Sequence, residues 1–397
     1  MKLLVVTQYF YPESFRINDL CRELVRRGHE VTVLTGYPQY PGGVIYEGYG
    51  FDKPYEKTWE GVTIHRVKTY PRGKTPLGLL RNCVSFVTAG NRWVESCEER
   101  FDAVFVFEVS PVTVGLPALT YGKKFGVPIY FNLQDLWPEN VHEVLGLRLP
   151  PLTWAINRIV DKIYAGSYRV LCASWGFVKH LEKRGVAPEK LIYWPQFCPE
   201  PKLEGLLKPE IYSDNTFNVV FAGNLGDAQG LDLLVDAAAD LKGRGIRWHL
   251  VGDGRARTRL EQLVRDRGLE TDVIFLGRVT PAEADRYVHF AHCAYLSFRP
   301  SPLFDMTLPA KLQTYLACGT PILAAAGGES AGVLREASCG LAVSQDREAL
   351  VRGVLEMAAL TPEAREKMAA GARRYYEEHF SMDRLVDRLE TILARQE

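Results

Sequence analysis

The residues best suited to chemistry sit in a few loops that join short apolar runs to helical stretches. In FRPSPLFDMTLPAKLQTYLACGTPIL (298–323) a proline-punctuated loop leads to Pro309, which suits the first turn of a helix. Lys311 then falls in that first turn, where a cation opposes the helix dipole. A bound diphosphate would remove the conflict, because the ammonium and the free helix N–H groups would share one anion. AGNLGDAQG (222–230) follows an apolar run and opens a helix, and Gly223, Gly226 and Gly230 would let the backbone approach an anion closely. Such a turn also occurs as plain structure. GDGRARTRL (252–260) sets Asp253 between two glycines and places Arg255 within reach of a diphosphate, or else forms a turn and a solvated basic face. GRV (277–279) offers main chain to a flat base.

Two further loops stand nearer the N-terminus. NLQDLWPEN (132–140) places Asp135 just after an apolar run, as a base or sugar-hydroxyl ligand, or as a helix N-cap. QYFYPESFR (8–16) sits where a first strand would end. His289, His292 and Cys293 lie close together, but that spacing alone does not make a metal site, and a packed or solvated helix is expected. The sequence has no serine nucleophile elbow, no Walker A loop and no paired aspartates placed to hold a metal. Its eight cysteines form no CxxC pair and are expected to be buried thiols in a reducing compartment.

The elements that must carry these loops alternate. LLVVTQYF (3–10), HEVTVLTG (29–36), VTIHRV (62–67), DAVFVFE (102–108), PIYFNLQD (128–135) and YRVLCAS (168–174) read as buried parallel strands. INDLCRELVRRG (17–28) is the first helix, ended by Gly28. Between Tyr193 and Ser213 four prolines appear and the periodicity lapses, so residues 199–213 are expected to be an interdomain linker. Alternation restarts with FNVVFAGN (217–224) and runs through WHLVGDG, DVIFLGRV, HCAYLSF, TPILAAAGG and GLAVSQD. The expected class is α/β, with two Rossmann-like domains, 1–198 and 214–379, facing across a deep cleft. A helix over 380–397 is expected to return toward the N-terminal domain.

Composition sets the outer limits. The 397 residues allow two or three domains at roughly 150 residues each. Forty-eight basic residues balance forty-eight acidic ones, which argues against a generic nucleic-acid binder. No apolar run is long enough for a membrane span, and the opening MKLLVVTQYFYPES does not read as a signal peptide, so cytoplasmic placement is expected.

Taken together, YFYPE, RGHEVTVLT, QDLWPE, AGNLGDAQGLDLL, LVGDG, FLGRV and LPAKLQTYLACGTPILA resemble the retaining GT-B glycosyltransferases of family 4, nearest to their WbuB-like subgroup. The resemblance spans nearly the whole chain. It implies that the second domain holds a nucleotide-sugar, with UDP the expected nucleotide, and that the first holds the acceptor. It implies no metal and no other cofactor. Donor contacts would come from Gly223, Asn224, Gly226, Gln229, Asp253, Arg255, Arg278, Val279, Asp305, Met306, Thr307, Leu308, Lys311 and Thr314. Acceptor contacts would come from Glu13, Arg16, Trp137 and Glu139. Lys311 would stabilise the leaving phosphate, and Asp135 would orient the acceptor or act as base.

The sequence departs from the broad family in one place of consequence. The usual Glu-x7-Glu pair is replaced by Met306 and Thr314, which leaves the ribose contact open and points to Asp305 or main-chain amides near the sugar. The frequent Arg and Lys of the glycine loop are Asn224 and Gln229, which shifts weight onto Lys311. The subgroup resemblance implies bacterial surface-polysaccharide assembly on an undecaprenyl-diphosphate-linked or glycan acceptor. A lipid acceptor requires membrane contact, and Tyr70–Trp93 offers Arg72, Lys74 and Arg81 beside Leu77, Leu79, Leu80, Val84, Phe86 and Val87 as a monotopic patch, or as an ordinary packed helix. A nucleotide-sugar epimerase and a non-catalytic nucleotide-sugar-binding protein are the rival readings.

Overall fold

The computed structural model describes residues 1–73, 75–146 and 149–394. The chain divides into two compact units. One is Met1–Pro195 joined by the chain from Val386 onward, and the other is Gln196–Leu385.

The first unit is built on strands β1 (Lys2–Val6), β2 (Glu30–Thr35), β3 (Thr58–Trp59), β4 (Val62–Arg66), β5 (Ala103–Glu108), β6 (Ile129–Leu133), β7 (Arg169–Cys172) and β8 (Leu191–Tyr193). They form one sheet in the order β3-β4-β2-β1-β5-β6-β7-β8. Every pairing is parallel except the two-residue β3 against β4. Leu3 to Val6 and Val104 to Val106 are wholly or almost wholly buried, as continuous apolar runs covered on both faces should be. The order reverses between β1 and β5, so the loops after these two strands diverge and leave a crevice at the carboxyl edge.

The second unit carries β9 (Phe217–Ala222), β10 (Ile246–Val251), β11 (Val273–Gly277), β12 (Cys293–Ser297), β13 (Ile322–Ala325) and β14 (Gly340–Val343). All are parallel, in the order β11-β10-β9-β12-β13-β14. This is the strand order of a dinucleotide-binding Rossmann sheet, with its reversal between β9 and β12. Two apolar clusters flank the sheet, one around Trp248 and Leu250, the other around Tyr315 and Leu316.

Residues 199–213 do not form the expected linker. Tyr212 is fully buried, stands edge-on to His249 with centroids 4.7 Å apart, and donates through its hydroxyl to the Tyr287 carbonyl at 3.2 Å. Cys198 belongs to the same core. The division therefore falls at 195/196. Prolines fix φ and remove N–H donors, so this stretch packs through side chains without a readable period. The last helix, Met382–Ala394, contributes its end to the first unit. Arg27 pairs there with Asp387 and Glu390, and His29 meets Glu390 at 2.7 Å.

Candidate functional site

In the second unit the glycine loops lie side by side at the carboxyl edge. Gly223 N–H donates to the Val251 carbonyl at 2.8 Å, Gly252 N–H to Gly277 at 2.7 Å, and Leu225 N–H to Asp253 at 2.9 Å. Gly252 has φ +132°, and a Cβ there would lie 1.9 Å from the Gly223 carbonyl oxygen, so only glycine fits. The loop after β12 joins the same group. Ser297 Oγ donates to the Gln229 carbonyl at 2.7 Å, and Arg299 N–H to Ala228 at 2.9 Å. The ends of β9 and β12 thus close on each other where the strand order reverses.

Lys311 stands at this junction. It is the second residue of the helix Ala310–Ala317, whose N-cap is Pro309 in extended conformation. Its ammonium lies 4.6 Å from the Phe221 ring centroid and 5.9 Å from that of Phe298, and donates to Gln229 Oε1. A Cβ on Gly223 would lie 3.0 Å from Lys311 Cδ. Among the described residues no carboxylate pairs with the ammonium. Burial therefore acts alone and pushes its pKa down to about 7. Such a group can accept an anion as partner without first losing one.

The other expected donor residues fall into two sets. Asn224, Gly226 and Asp253 belong to the loops just described: Asn224 lies between Gly226 and Gly254, and Asp253 accepts from the Gly254 N–H at 2.8 Å. Arg255 is exposed and unpaired among the described residues. Arg278 is exposed at the end of β11, whereas Val279 packs against the core. The second set is spent on structure. Thr307 and Thr314 hydroxyls donate to the carbonyls of Leu303 and Ala310, and Leu308 packs on the core. Met306 ends the short helix Pro302–Met306. Asp305 is exposed on that helix, and a Cβ at Gly327 would lie 2.8 Å from its Oδ1.

In the first unit a second group of polar residues gathers where β1, β5 and β6 end. Asp135 is not a helix cap: the helix Glu139–Leu145 has Pro138 at its N-cap. Asp135 Oδ2 instead accepts from Ser110 Oγ at 2.7 Å. Ser110 has φ +70°, a conformation that costs a non-glycine residue about 1–3 kcal/mol and that gathers at functional sites. The residue that holds this arrangement is Glu108, which the sequence did not single out. It is fully buried and accepts from the N–H groups of Ser110 at 3.1 Å, Gln134 at 3.3 Å and Asp135 at 3.1 Å, and from Trp137 Nε1 at 3.1 Å. Burial first, then repulsion from Asp135, raises the Glu108 pKa, and burial raises that of Asp135. The signal in the sequence was a charged residue closing the apolar run AVFVFE, with Val-Ser-Pro after it.

The four expected acceptor residues fare differently. Glu13 is buried, and its oxygens accept from the N–H groups of Phe10, Gln39 and Tyr40 at 3.2, 2.8 and 2.7 Å. It braces the loop and is spent in doing so; burial pushes its pKa up to about 7 despite those bonds. Glu139 is engaged with His180 at 3.1 Å. Arg16 opens the first helix, Arg16–Arg26. Trp137 lines a pocket of about 60 Å³ together with Tyr9, Arg72, Ser110 and Asn140. Among the described residues no group of three or more His, Cys, Asp or Glu is arranged to hold a metal. His289 bonds the Cys318 carbonyl, and His292 accepts from the Asn218 N–H.

Residues 14–195 match the family model described as "Glycosyl transferase 4-like domain", and 216–359 match "Glycosyl transferases group 1". The D-inositol 3-phosphate glycosyltransferase of Acidothermus cellulolyticus is 32% identical over 376 residues, covering 90% of this chain and 79% of that protein. The chain belongs to glycosyltransferase family 4. Escherichia coli (strain K12) WcaI, described as a colanic acid biosynthesis glycosyl transferase, is 26% identical to this glycosyltransferase over 385 residues, 89% of this chain and 91% of WcaI. Its fold is GT-B. Sucrose-phosphate synthase of Thermosynechococcus elongatus aligns with a TM-score of 0.77 at 16% identity, over 99% of this chain and 98% of that one. Anabaena Alr3699/HepE, solved with UDP and glucose, aligns with a TM-score of 0.69 at 16% identity over the full length of both.

Proposed function

We propose that this glycosyltransferase moves a sugar from a UDP-sugar, with retention at the anomeric carbon and without a metal, to a lipid-linked or glycan acceptor in bacterial surface-glycan assembly. The observation that carries the reading is Lys311, an ammonium without a carboxylate partner among the described residues, set at a helix start beside close-packed glycine loops. A diphosphate there would meet the ammonium and helix N–H groups together, and both would stabilise the charge that grows as the phosphate leaves. The acceptor hydroxyl would enter on the face the phosphate vacates and pass its proton to that phosphate, while Asp135 orients it. Gln229 orients the ammonium without neutralising it. The likeness to WcaI supports a surface-glycan role, and the UDP bound by Alr3699/HepE supports UDP.

A thermal-shift panel of UDP, GDP and ADP tests the donor site. UDP at a hundred times its dissociation constant should stabilise by about 2.7 kcal/mol, and Lys311→Ala should remove most of this. No shift with any nucleotide, or turnover abolished by a chelator, would count against the reading. No described helix is long and apolar enough to cross a membrane. A lipid-linked acceptor would be met at the bilayer surface by the helix Pro76–Ser96, which exposes Leu77, Leu80 and Val84, the last beside Arg81, Arg92 and Lys68, while Phe86, expected in the same patch, is fully buried in the core. Lys74, expected in the same patch, lies outside the described residues. Sedimentation with phosphatidylglycerol vesicles at low salt, lost in Leu80→Glu, is the expected behaviour.

A further inference from the structure

In the first unit the helix Gly115–Phe125 packs against both Pro76–Ser96 and Pro150–Gly166. All three helices lie on connections that run in one direction along the sheet, β4 to β5, β5 to β6 and β6 to β7, so right-handed crossovers set them on one face. Each joins parallel strands and therefore returns from the carboxyl edge to the amino edge. Their starts share the edge at which Asp135 follows β6.

This layer is basic in a chain whose charges balance. Its three helices carry six Lys and Arg against Glu95 and Asp161 alone. Arg158 and Lys162 line a groove of about 630 Å³ with Leu116, Ile159 and Ala165. Asp161 lines it too, but Arg184 engages its carboxylate at 2.9 Å. Among the described residues no carboxylate pairs with Arg158 or Lys162. At the start of the same helix Leu149, Leu152 and Trp154 are exposed, Trp154 by 65%. One turn on, the Arg158 guanidinium lies 5.8 Å from the Trp154 ring centroid. Leucines and a tryptophan at a rim, with cations along the helix behind them, suit a bilayer interface: the rings sit at headgroup level and the cations reach lipid phosphates.

We infer that Leu149, Leu152 and Trp154 form a second membrane anchor, which docks on a bilayer of anionic phospholipid with lipid phosphates on Arg158 and Lys162. The inference rests on the reading that this enzyme works at a membrane, and it extends the contact proposed for Pro76–Ser96. Leu77 and Leu80 stand at the start of that helix, so both anchors lie at the carboxyl edge. One anchor leaves the unit free to swivel on the surface. Two fix that edge against it, with Asp135 near the headgroups, where the sugar of a lipid-linked acceptor lies.

The test uses the full chain with vesicles of phosphatidylcholine, alone or mixed with equal phosphatidylglycerol. The wild type should sediment with the mixed vesicles. Brominated acyl chains in them should quench its tryptophan emission, and Trp154→Phe should lose most of that quenching. Leu152→Glu should weaken binding roughly tenfold, and Arg158→Gln with Lys162→Gln should do the same on the mixed vesicles only. Every variant should keep the stabilisation by UDP, which shows that it is folded. Quenching unchanged in Trp154→Phe, or Leu152→Glu binding like wild type, would overturn the inference. So would a wild-type dimer dispersed by Leu152→Glu, because the patch would then belong to a second copy of the chain. No binding of the wild type to either vesicle would strike the membrane reading and this anchor together, whereas binding without quenching of Trp154 strikes the anchor alone.

Discussion

Binding of a diphosphate beside Lys311 should draw a proton from solvent. In the free enzyme burial holds the ammonium's pKa at about 7, so at pH 7 about half of the molecules carry the neutral amine, and at pH 8 about nine in ten do. A nucleotide-sugar brings two negative charges to the amine and raises its pKa well past this range. The diphosphate of a nucleotide-sugar is esterified at both ends and exchanges no proton near neutrality. Binding should therefore take up about half a proton at pH 7 and about 0.9 at pH 8, by simple titration of one group. Calorimetry with the UDP-sugar in buffers of different ionisation enthalpy reads this directly as a slope. Lys311→Met should bind more weakly with a slope near zero. Wild-type binding with no buffer dependence at pH 8 would refute the reasoning, because the anion would then lie away from the amine or the amine would already be charged.

Other outcomes follow from the same geometry. Lys311→Ala should lower turnover by on the order of 10²–10³ while the fold is retained, and Asp135→Asn should lower turnover with UDP binding intact; steady-state rates and thermal shifts check both. Gly252→Ala should destabilise the second unit by roughly 2–5 kcal/mol, from a disfavoured φ and a Cβ driven into the Gly223 carbonyl; urea unfolding measures it. Glu13 has its folded pKa raised to about 7 from an ordinary 4.5, so the folded state keeps a proton that the unfolded chain has released. Its contribution is thus full below pH 4.5 and is lost as pH rises through 7, and the stability of Glu13→Gln relative to wild type should climb over that window.

Much of the fold was legible because parallel strands covered on both faces must be continuous apolar runs, and those from LLVV to GLAV stand out between glycines and helices. The place of Lys311 was legible for a different reason: Pro309 marks a helix start, and Lys311 does fall in the first turn, where a cation conflicts with the dipole. Glu108 was not, since a glutamate closing a strand reads as solvated until Trp137 and three main-chain amides are seen to enclose it. Glu13 misled in the opposite sense. The resemblance implied an acceptor contact, but its partners Gln39 and Tyr40 come from the loop after β2, which no local pattern links to it. The short strand β8 was hidden because the proline-rich stretch begins directly after it.

The polypeptide leaves the first unit after Pro195 and re-enters it at Val386. On a ribosome that unit's sheet emerges early, but Arg27 and His29 must wait for Asp387 and Glu390, made about 360 residues later. A nascent chain halted after the first sheet therefore holds Arg27 against Glu23 alone and has no Glu390 for His29, and a clone truncated at 385 should inherit that defect even though every residue of its second unit is present.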